Sequence, residues 1–167
     1  EVMITKEESV LEQYKKIKPV EVENEFNYKS AGNIYEIRIN RPQIVGFHKK
    51  ETEELINKTI GKDIDEYVKD MSFIKEVEEG EERVSSYNFF IEPEVLANEN
   101  GVLSISLDIY EYSGGAHGNY WSQFYNFDLL RGQEIKLKDI FKEDVDYLEL
   151  IYKHIFEKIK DNEIWTA

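Results

Sequence analysis

The sequence predicts an α+β fold, with an antiparallel sheet or sheets covered by two helices. Apolar and polar residues alternate in several short segments, and two longer segments repeat apolar residues every three or four positions. Alternation is typical of half-buried strands, and the longer repeat is typical of amphipathic helices. Tight turns between successive strands favour antiparallel pairing, and such a sheet needs helices over one face.

The composition indicates an acidic globular domain. Among the 167 residues, 35 Asp and Glu outnumber 21 Lys and Arg, the net charge is −14, and 41% of the residues are hydrophobic. This charge opposes binding to nucleic acid or anionic lipid and favours a cationic partner. The chain has no cysteine, which excludes disulfides, thiolate metal sites and cysteine nucleophiles. No apolar run reaches the ~18 residues of a membrane span, and no signal-peptide pattern is found.

The first elements are a charged segment and a hairpin. Residues 1–18 fit either a tail or a short helix, and both alternatives stay open. The next apolar residues alternate and share one side of a strand: Val20, Val22, Phe26 and Tyr28. Residues 30–33 predict a turn because they include Gly and Asn. The return strand carries Tyr35, Ile37 and Ile39, and Pro42 is expected to end it because proline cannot donate a ladder hydrogen bond.

A long amphipathic helix is predicted over residues 52–75. Its apolar stripe consists of Ile56, Ile60, Ile64, Tyr67, Val68, Met71 and Ile74. Thr52 is the expected N-cap, and the acidic residues after it suit the positive end of the helix dipole. An exposed acidic connector is expected over residues 76–83. Residues 19–84 are therefore predicted to form a hairpin-plus-helix lobe.

Residues 85–167 predict a second lobe, a β-meander followed by a helix. The strand that carries Tyr87, Phe89 and Ile91 meets Pro93, which indicates an edge, a bulge or the end of the strand. Asn100-Gly101 predicts a hairpin turn. Two further strands are expected, one with Leu103, Ile105, Leu107 and Ile109 and the next with Trp121, Gln123, Tyr125 and Phe127. A turn at 131–133 and a short strand with Ile135 and Leu137 follow. The last element is a helix capped by Asp144, with an apolar stripe of Leu148, Ile151, Tyr152, Ile155, Phe156 and Ile159. The two lobes are related and are expected to share one core.

The loop at residues 113–118 is the densest cluster of unusual residues in the chain. Gly114, Gly115 and Gly118 would let a backbone approach a ligand closely, and His117 could bind a metal or transfer a proton. The structural alternative is a tight strand connection in which His117 makes local hydrogen bonds. We favour the alternative because no further ligand stands at metal-binding spacing from His117. The sequence thus predicts no catalytic residue, no metal site and no cofactor.

Aromatic residues surround this loop. Trp121 and Tyr125 are expected on the core side of their strand, and Tyr110, Tyr112 and Tyr120 are the surface candidates, since aromatics with a polar tip are enriched at binding surfaces. Asp108 and Glu111 are three residues apart on a strand and are expected to point to opposite faces, which argues against a catalytic carboxylate pair. The candidate binding residues are Tyr112, Gly114, Gly115, His117, Gly118 and Tyr120.

Several motifs resemble a bacterial family. The motifs are residues 112–118 (Tyr-Ser-Gly-Gly-Ala-His-Gly), 126–129 (Asn-Phe-Asp-Leu), Gly132 and 135–141 (Ile-Lys-Leu-Lys-Asp-Ile-Phe). They resemble the ectodomains of RsiV-type anti-sigma factors and are similar to the non-catalytic N-terminal region of PdaC-type peptidoglycan deacetylases. Residues 41–46 (Arg-Pro-Gln-Ile-Val-Gly) and 55–57 (Leu-Ile-Asn) resemble the domain that precedes this module in both groups. The resemblance covers residues 20–160.

The resemblance implies an exported domain on the outer side of the cell envelope. It implies a membrane anchor before the domain and further strands after residue 167, so that the C-terminal lobe is expected to be truncated here. Anti-sigma members of the family bind lysozyme, and the acidic composition fits such a cationic partner. The expected function is therefore a non-enzymatic extracytoplasmic recognition or sensor module. The alternative is an enzyme that acts on cell-wall glycan, or its accessory substrate-binding domain.

Overall fold

A computed structural model describes residues 9–31, 34–71 and 86–160, which form an open six-stranded sheet and three α-helices. The strands lie in chain order across the sheet. They are β1 (Glu21–Ala31), β2 (Tyr35–Val45), β3 (Tyr87–Glu99), β4 (Val102–Tyr112), β5 (Asn119–Asp128) and β6 (Gln133–Glu134). The helices are α1 (Val10–Lys15), α2 (Lys50–Asp70) and α3 (Tyr147–Lys160), and a 3-10 helix spans Leu137–Ile140. The predicted α+β class is confirmed.

The chain divides into two compact units, Glu1–Glu134 and Ile135–Ala167. The first contains the sheet with α1 and α2, and the second contains the 3-10 helix and α3. The predicted lobe boundary at residues 84–85 and the acidic connector at 76–83 lie outside the described residues and stay predictions. The predicted turn residues 32 and 33 also lie outside them.

Helix α2 packs on one face of the sheet and forms the core with it. Its residues Ile56, Ile60 and Ile64 are fully buried, as the predicted stripe requires. Ile44 near the end of β2 belongs to this core, and the other sheet residues in it are odd-numbered: Tyr35, Ile37, Ile39, Tyr87, Phe89, Ile91, Leu103, Ile105, Leu107, Ile109, Tyr125 and Phe127. Because side chains alternate along a strand, the even-numbered side chains next to these odd-numbered residues lie on the opposite face.

The sheet is mixed, so the prediction of purely antiparallel pairing is wrong at one position. Strands β2 and β3 pair in parallel over five residues each, Tyr35–Ile39 with Tyr87–Ile91. All other neighbouring strands are antiparallel. The parallel pair follows from the connection: α2 lies between β2 and β3 in the chain, and a helical crossover returns the chain to the same end of the sheet.

Pro42 of β2 and Pro93 of β3 both lie beyond the segment over which these two strands pair with each other. The prediction that Pro42 ends its strand is wrong, because β2 continues to Val45. The pairing of β2 with β3 stops at Ile39 and Ile91, so residues 42 and 93 each lie beyond the paired part of that junction. A missing amide hydrogen is tolerated there because one edge of the strand has no partner to bond. For Pro93 the predicted edge position is therefore confirmed.

Helix α2 begins earlier than predicted and without the predicted cap. Its N-cap residue is Lys49, and no side chain caps it. Thr52 is buried inside the first turn, where its side chain lies against Gly132. The Glu53 carboxylate instead accepts the Phe47 amide at 2.7 Å, just before the helix. Asn57 holds α2 to β2 by accepting the Ile44 amide at 2.7 Å and donating to the Ile44 carbonyl at 2.9 Å.

The turns agree with the sequence, but the short strand after them does not. Asn100 and Gly101 both have positive φ, 49° and 72°, as the predicted Asn-Gly hairpin requires. Gly132 also has positive φ in the turn before β6. The predicted strand with Ile135 and Leu137 is wrong: β6 is Gln133–Glu134, and Leu137 begins the 3-10 helix.

Helix α1 is the short helix that the sequence left open for residues 1–18. The Ser9 side chain caps it by accepting the Glu12 amide at 3.3 Å. The Tyr14 hydroxyl donates to the buried Asp128 carboxylate at the end of β5. Burial first, and this hydrogen bond second, raise the pKa of Tyr14. This contact anchors α1 to the sheet.

The second unit consists of the 3-10 helix and α3. The predicted cap Asp144 is wrong, because α3 begins at Tyr147 and the Asp146 carboxylate accepts the Glu149 amide at 3.0 Å. No residue of α3 is buried. The apolar stripe is present as predicted, but most of its side chains are exposed: Leu148, Tyr152, Ile155, Phe156 and Ile159.

Candidate functional site

A row of side chains crosses five strands on the sheet face opposite α2. Register places its members directly opposite one another on successive strands: Tyr28, Arg38, Phe90, Tyr110 and Tyr120. We call these five side chains the aromatic row and the face that carries them the aromatic face. Tyr120 is 80% exposed and Tyr28 is 54% exposed. The ends of the row are therefore open to solvent.

The middle of the row is a continuous stack. The Phe90 and Tyr110 rings lie 5.4 Å apart at 24°, and the Tyr110 and Tyr120 rings lie 4.5 Å apart at 41°. The Arg38 guanidinium carbon lies 3.8 Å from the centre of the Phe90 ring. Cross-strand aromatic pairs and a cation over a ring face are both stabilising arrangements. The stack thus holds three rings and one guanidinium in fixed positions.

The glycine loop positions the central ring of this row. A Cβ atom on Gly118 would lie 2.6 Å from Tyr110 Cζ, so the tyrosine ring packs directly over the glycine backbone. Gly114 and Gly115 have φ of 102° and 114°, which side chains rarely adopt. The Tyr112 hydroxyl donates to the Gly115 carbonyl at 3.0 Å and closes the loop.

Polar side chains flank the aromatic row on both sides. On one side, Asp108 accepts the Ser122 hydroxyl at 2.6 Å, and Asn40 donates to Glu92. On the other side, Glu36 and Asn88 lie opposite each other on β2 and β3. Apart from Tyr28 and Asn40, the row and its flanks line a concave groove of about 840 Å³. Polar groups beside an apolar platform can orient a ligand.

The other face carries a polar network under α2 that holds the fold. Asp63 accepts the Tyr125 hydroxyl at 2.9 Å and the Gln123 amide at 2.7 Å. Burial, and then the hydrogen bond to Asp63, raise the pKa of Tyr125 well above its usual range. Tyr125 is buried, and Trp121 packs against the core, so the predicted core-side positions of both are confirmed.

The structure brings together some of the predicted binding residues. Tyr120 belongs to the aromatic row and Gly118 lies under it, while Tyr112, Gly114 and Gly115 shape the loop. His117 is exposed, and its Nδ1 lies 3.2 Å from the Gly118 carbonyl. Asp108 lies on the aromatic face, whereas Glu111 accepts the Tyr87 hydroxyl on the core side. The two carboxylates therefore point to opposite faces, as predicted.

Sequence reasoning missed Tyr28, Arg38 and Phe90 as site residues. The alternation had already placed Arg38 and Phe90 away from the core. Phe90 meets Tyr110 through the antiparallel register of β3 and β4. Arg38 and Tyr28 join them only through the parallel register of β2 and β3, which no local pattern contains. Within the described ranges, no three His, Asp or Glu side chains are grouped as metal ligands.

The family model described as "Deacetylase PdaC" matches residues 28–120, which is more than half of the chain. The chain belongs to the PdaC deacetylase family. The match includes the whole aromatic row, since Tyr28 and Tyr120 are its first and last residues. Among curated relatives, the peptidoglycan-N-acetylmuramic acid deacetylase PdaC of Bacillus subtilis (strain 168) is 40% identical over 62 residues. These residues are 35% of this chain and 13% of that relative.

Solved structures of the DUF3298 family share the fold of this PdaC-family chain. The protein from Bacteroides fragilis has a TM-score of 0.62 and 20% identity, over 86% of this chain and 70% of that one. The protein from Pseudomonas aeruginosa has a TM-score of 0.64 and 14% identity, over 84% of this chain and 66% of that one. In the part of the chain that the structure describes, no helix is both long and apolar enough to cross a membrane.

Proposed function

We propose that this PdaC-family chain is a non-enzymatic recognition domain of the bacterial cell envelope, and that its aromatic face binds cell-wall glycan. The aromatic row carries this proposal. The relative of this chain in Bacillus subtilis is named as a peptidoglycan deacetylase, which supports an extracytoplasmic location and a glycan ligand. The domain would then hold the polymer as an accessory substrate-binding domain rather than cut it.

The chemistry of the aromatic face suits a sugar chain. A pyranose ring presents apolar C–H groups on its faces and hydroxyl groups around its rim. Tyr120 offers an exposed ring and the stacked Phe90 and Tyr110 offer half-buried apolar surface, while the carboxylates and amides beside them accept and donate hydrogen bonds. Rigid aromatic side chains lose little conformational entropy on binding.

The loop residues predicted as a binding site have two roles in this proposal. Tyr120 contacts the ligand directly. Gly118 allows the Tyr110 ring to lie flat against the loop, and Tyr112, Gly114 and Gly115 hold the loop in shape. His117 is exposed at the rim, where it is available for a peripheral contact.

A direct titration tests glycan binding. Soluble peptidoglycan glycan fragments are added to the purified domain and binding heat is measured, with Tyr120→Ala as the variant and Phe124→Ala as its control. Phe124 is 60% exposed on the same face but lies outside the row. Losing one aromatic contact of about 0.5–1.5 kcal/mol predicts ~2- to ~10-fold weaker binding for Tyr120→Ala. Phe124→Ala should bind as the wild type does.

Two outcomes would contradict this proposal. Equal binding by the wild type and Tyr120→Ala would remove the aromatic row as the site. Hydrolytic or deacetylase turnover of the same fragments that disappears in His117→Ala would replace the recognition domain by an enzyme.

A cationic protein is the second candidate ligand, and the net charge of −14 favours it. Glu36, Glu92 and Asp108 place three carboxylates on the aromatic face beside one arginine. Lysozyme, a cationic protein that itself acts on glycan, is the probe. A complex held by exposed charges should weaken as salt rises, since screening acts beyond ~8 Å at physiological ionic strength. No binding at low salt rejects this candidate.

A further inference from the structure

We infer that the glycan bound by the aromatic face carries a carboxylate and that Arg38 recognises it; this inference rests on the proposed function. Arg38 is the single cationic side chain among the residues that line the groove on this face. Its neighbours in the row are Tyr28 on one side and Phe90 on the other. A negative group of the ligand would therefore meet its counter-charge at one defined position.

Stacking prepares the Arg38 guanidinium for such a contact. One flat side of the group lies over the Phe90 ring, with 3.8 Å between the guanidinium carbon and the ring centre. This contact uses the face of the group and leaves the N–H donors along its edge. Edge donors of a planar guanidinium match the two oxygens of a carboxylate, so a bidentate pair can form without further ordering of the side chain.

The Arg38 side chain is partly exposed, although its Nε is not. Its Nε is buried, and within the described residues it has no hydrogen-bond partner. Glu36 Oε1 lies 3.5 Å from Nε, which is an ion pair with poor hydrogen-bond geometry, and both side chains are 42% exposed. A ligand carboxylate would therefore meet the exposed part of the guanidinium and not its buried Nε.

The other charges on the face restrict where a carboxylate can bind. Glu92 accepts from Asn40, and Asp108 accepts from Ser122, so both acids already have neutral partners on a neighbouring strand. They would repel an acidic group placed beyond the row and favour hydroxyl or amide groups there. A sugar whose carboxylate reaches Arg38 while its ring lies along the aromatic row satisfies both demands.

Two kinds of sugar supply this chemistry. One carries a lactyl ether carboxylate, as N-acetylmuramic acid does, and the other is a uronic acid. A chain of neutral N-acetylhexosamines has the same ring faces and acetamido groups but no acid. The comparison between acidic and neutral chains thus isolates the contribution of Arg38.

The experiment measures affinities of the full chain for four saccharides of equal length. They are a neutral N-acetylglucosamine oligomer, a muramic-acid-containing oligomer without peptide, the same oligomer with its carboxyl converted to a methylamide, and a uronic-acid oligomer. We expect the wild type to bind an acidic oligomer at least tenfold more tightly than the neutral and amidated ones. The two acidic arms identify which sugar supplies the carboxylate.

Three variants connect the preference to Arg38. Arg38→Gln should bind acidic and neutral oligomers alike, and Arg38→Lys should keep a reduced preference because it retains the charge without the planar fork. Lys29→Gln is the charge-matched control: it removes one exposed positive charge from the opposite face of β1 and should keep the full preference. Thermal unfolding of each variant checks that the sheet remains folded.

The outcomes separate this inference from the proposed function. Equal affinity of the wild type for acidic and amidated oligomers overturns the role of Arg38 and leaves glycan binding intact. A preference that persists in folded Arg38→Gln overturns it as well. Failure of the wild type to bind any oligomer overturns both the inference and the proposed function.

Discussion

Gly118 shows how a single residue controls the shape of the aromatic face. Its backbone lies against the Tyr110 ring, and a Cβ atom there would come within 2.7 Å of the tyrosine hydroxyl oxygen. The residue does not have the positive φ of Gly114 and Gly115, so the requirement for glycine is one of space and not of backbone conformation. The ring in turn stacks on Phe90 and Tyr120, which places the loop under the centre of the row.

Gly118→Ala is therefore predicted to displace the Tyr110 ring. Overpacking of this kind costs about 1–3 kcal/mol in the free energy of unfolding, which urea denaturation measures. In a Tyr110→Ala background the clash is absent, and the same substitution should cost close to nothing. An equal cost in both backgrounds would show that Gly118 serves the backbone of the loop instead.

Tyr125 is predicted to make stability depend on alkaline pH. Its pKa is raised in the folded state, first by burial and then by the hydrogen bond to Asp63. Above pH ~10 the unfolded chain loses this proton while the folded chain keeps it, so the free energy of unfolding is complete below that pH and falls above it. Urea denaturation at pH 8 and near pH 11 should show a smaller fall for Tyr125→Phe. An unchanged fall would assign the effect to other groups.

At the scale of elements, Asn57 connects α2 to β2. Its amide makes two hydrogen bonds with the backbone of Ile44, one in each direction. Ile44 is almost completely buried and lies in the part of β2 beyond its pairing with β3, where β1 is the neighbour that remains. The Asn57 side chain thus supplies, at the end of β2, hydrogen bonds of the kind that a neighbouring strand would otherwise make.

Asn57→Ala is predicted to lower the free energy of unfolding by about 1–3 kcal/mol, because it leaves a buried backbone donor and acceptor without partners. Lys58→Ala, on the exposed side of the same helical turn, should change it by less than about 0.5 kcal/mol. Denaturant titrations of the two variants measure the difference. Similar values for both would mean that water replaces the amide at Ile44.

Local patterns predicted the elements better than their ends or their partners. The Asn100-Gly101 turn and the stripe of α2 at Ile56, Ile60 and Ile64 follow from spacing within a few residues, and the structure confirms them. Val68 of the predicted stripe is exposed instead, and Ile74 lies outside the described residues. The start of α2 differs because Glu53 and Asn57 serve neighbouring backbone segments in place of a Thr52 cap. The aromatic row was found only in part, through the tyrosines near the loop. Its remaining members depend on strand register, which is a property of the assembled sheet.

At the scale of the whole molecule, the two faces of the sheet differ in burial and in the side chains that they carry. One face is covered by α2 and contains the core with its buried Asp63–Tyr125 network. The other presents the aromatic row and its polar flanks, with the row's two ends exposed. Residues of the aromatic row can therefore change without loss of the core, because side chains on opposite faces of a strand have separate neighbours. This separation is why Tyr120→Ala and Arg38→Gln are usable probes of binding.

Under the proposed function, the direction of the aromatic row sets the length of polymer that the domain can hold. The row runs perpendicular to the strands, and four inter-strand spacings separate Tyr28 from Tyr120, a distance of roughly 19 Å. Oligosaccharides shorter than this distance would leave one end of the row empty, and each added sugar would increase affinity. Once the chain reaches from the first strand to the fifth, further sugars would extend past the protein, and affinity would level off.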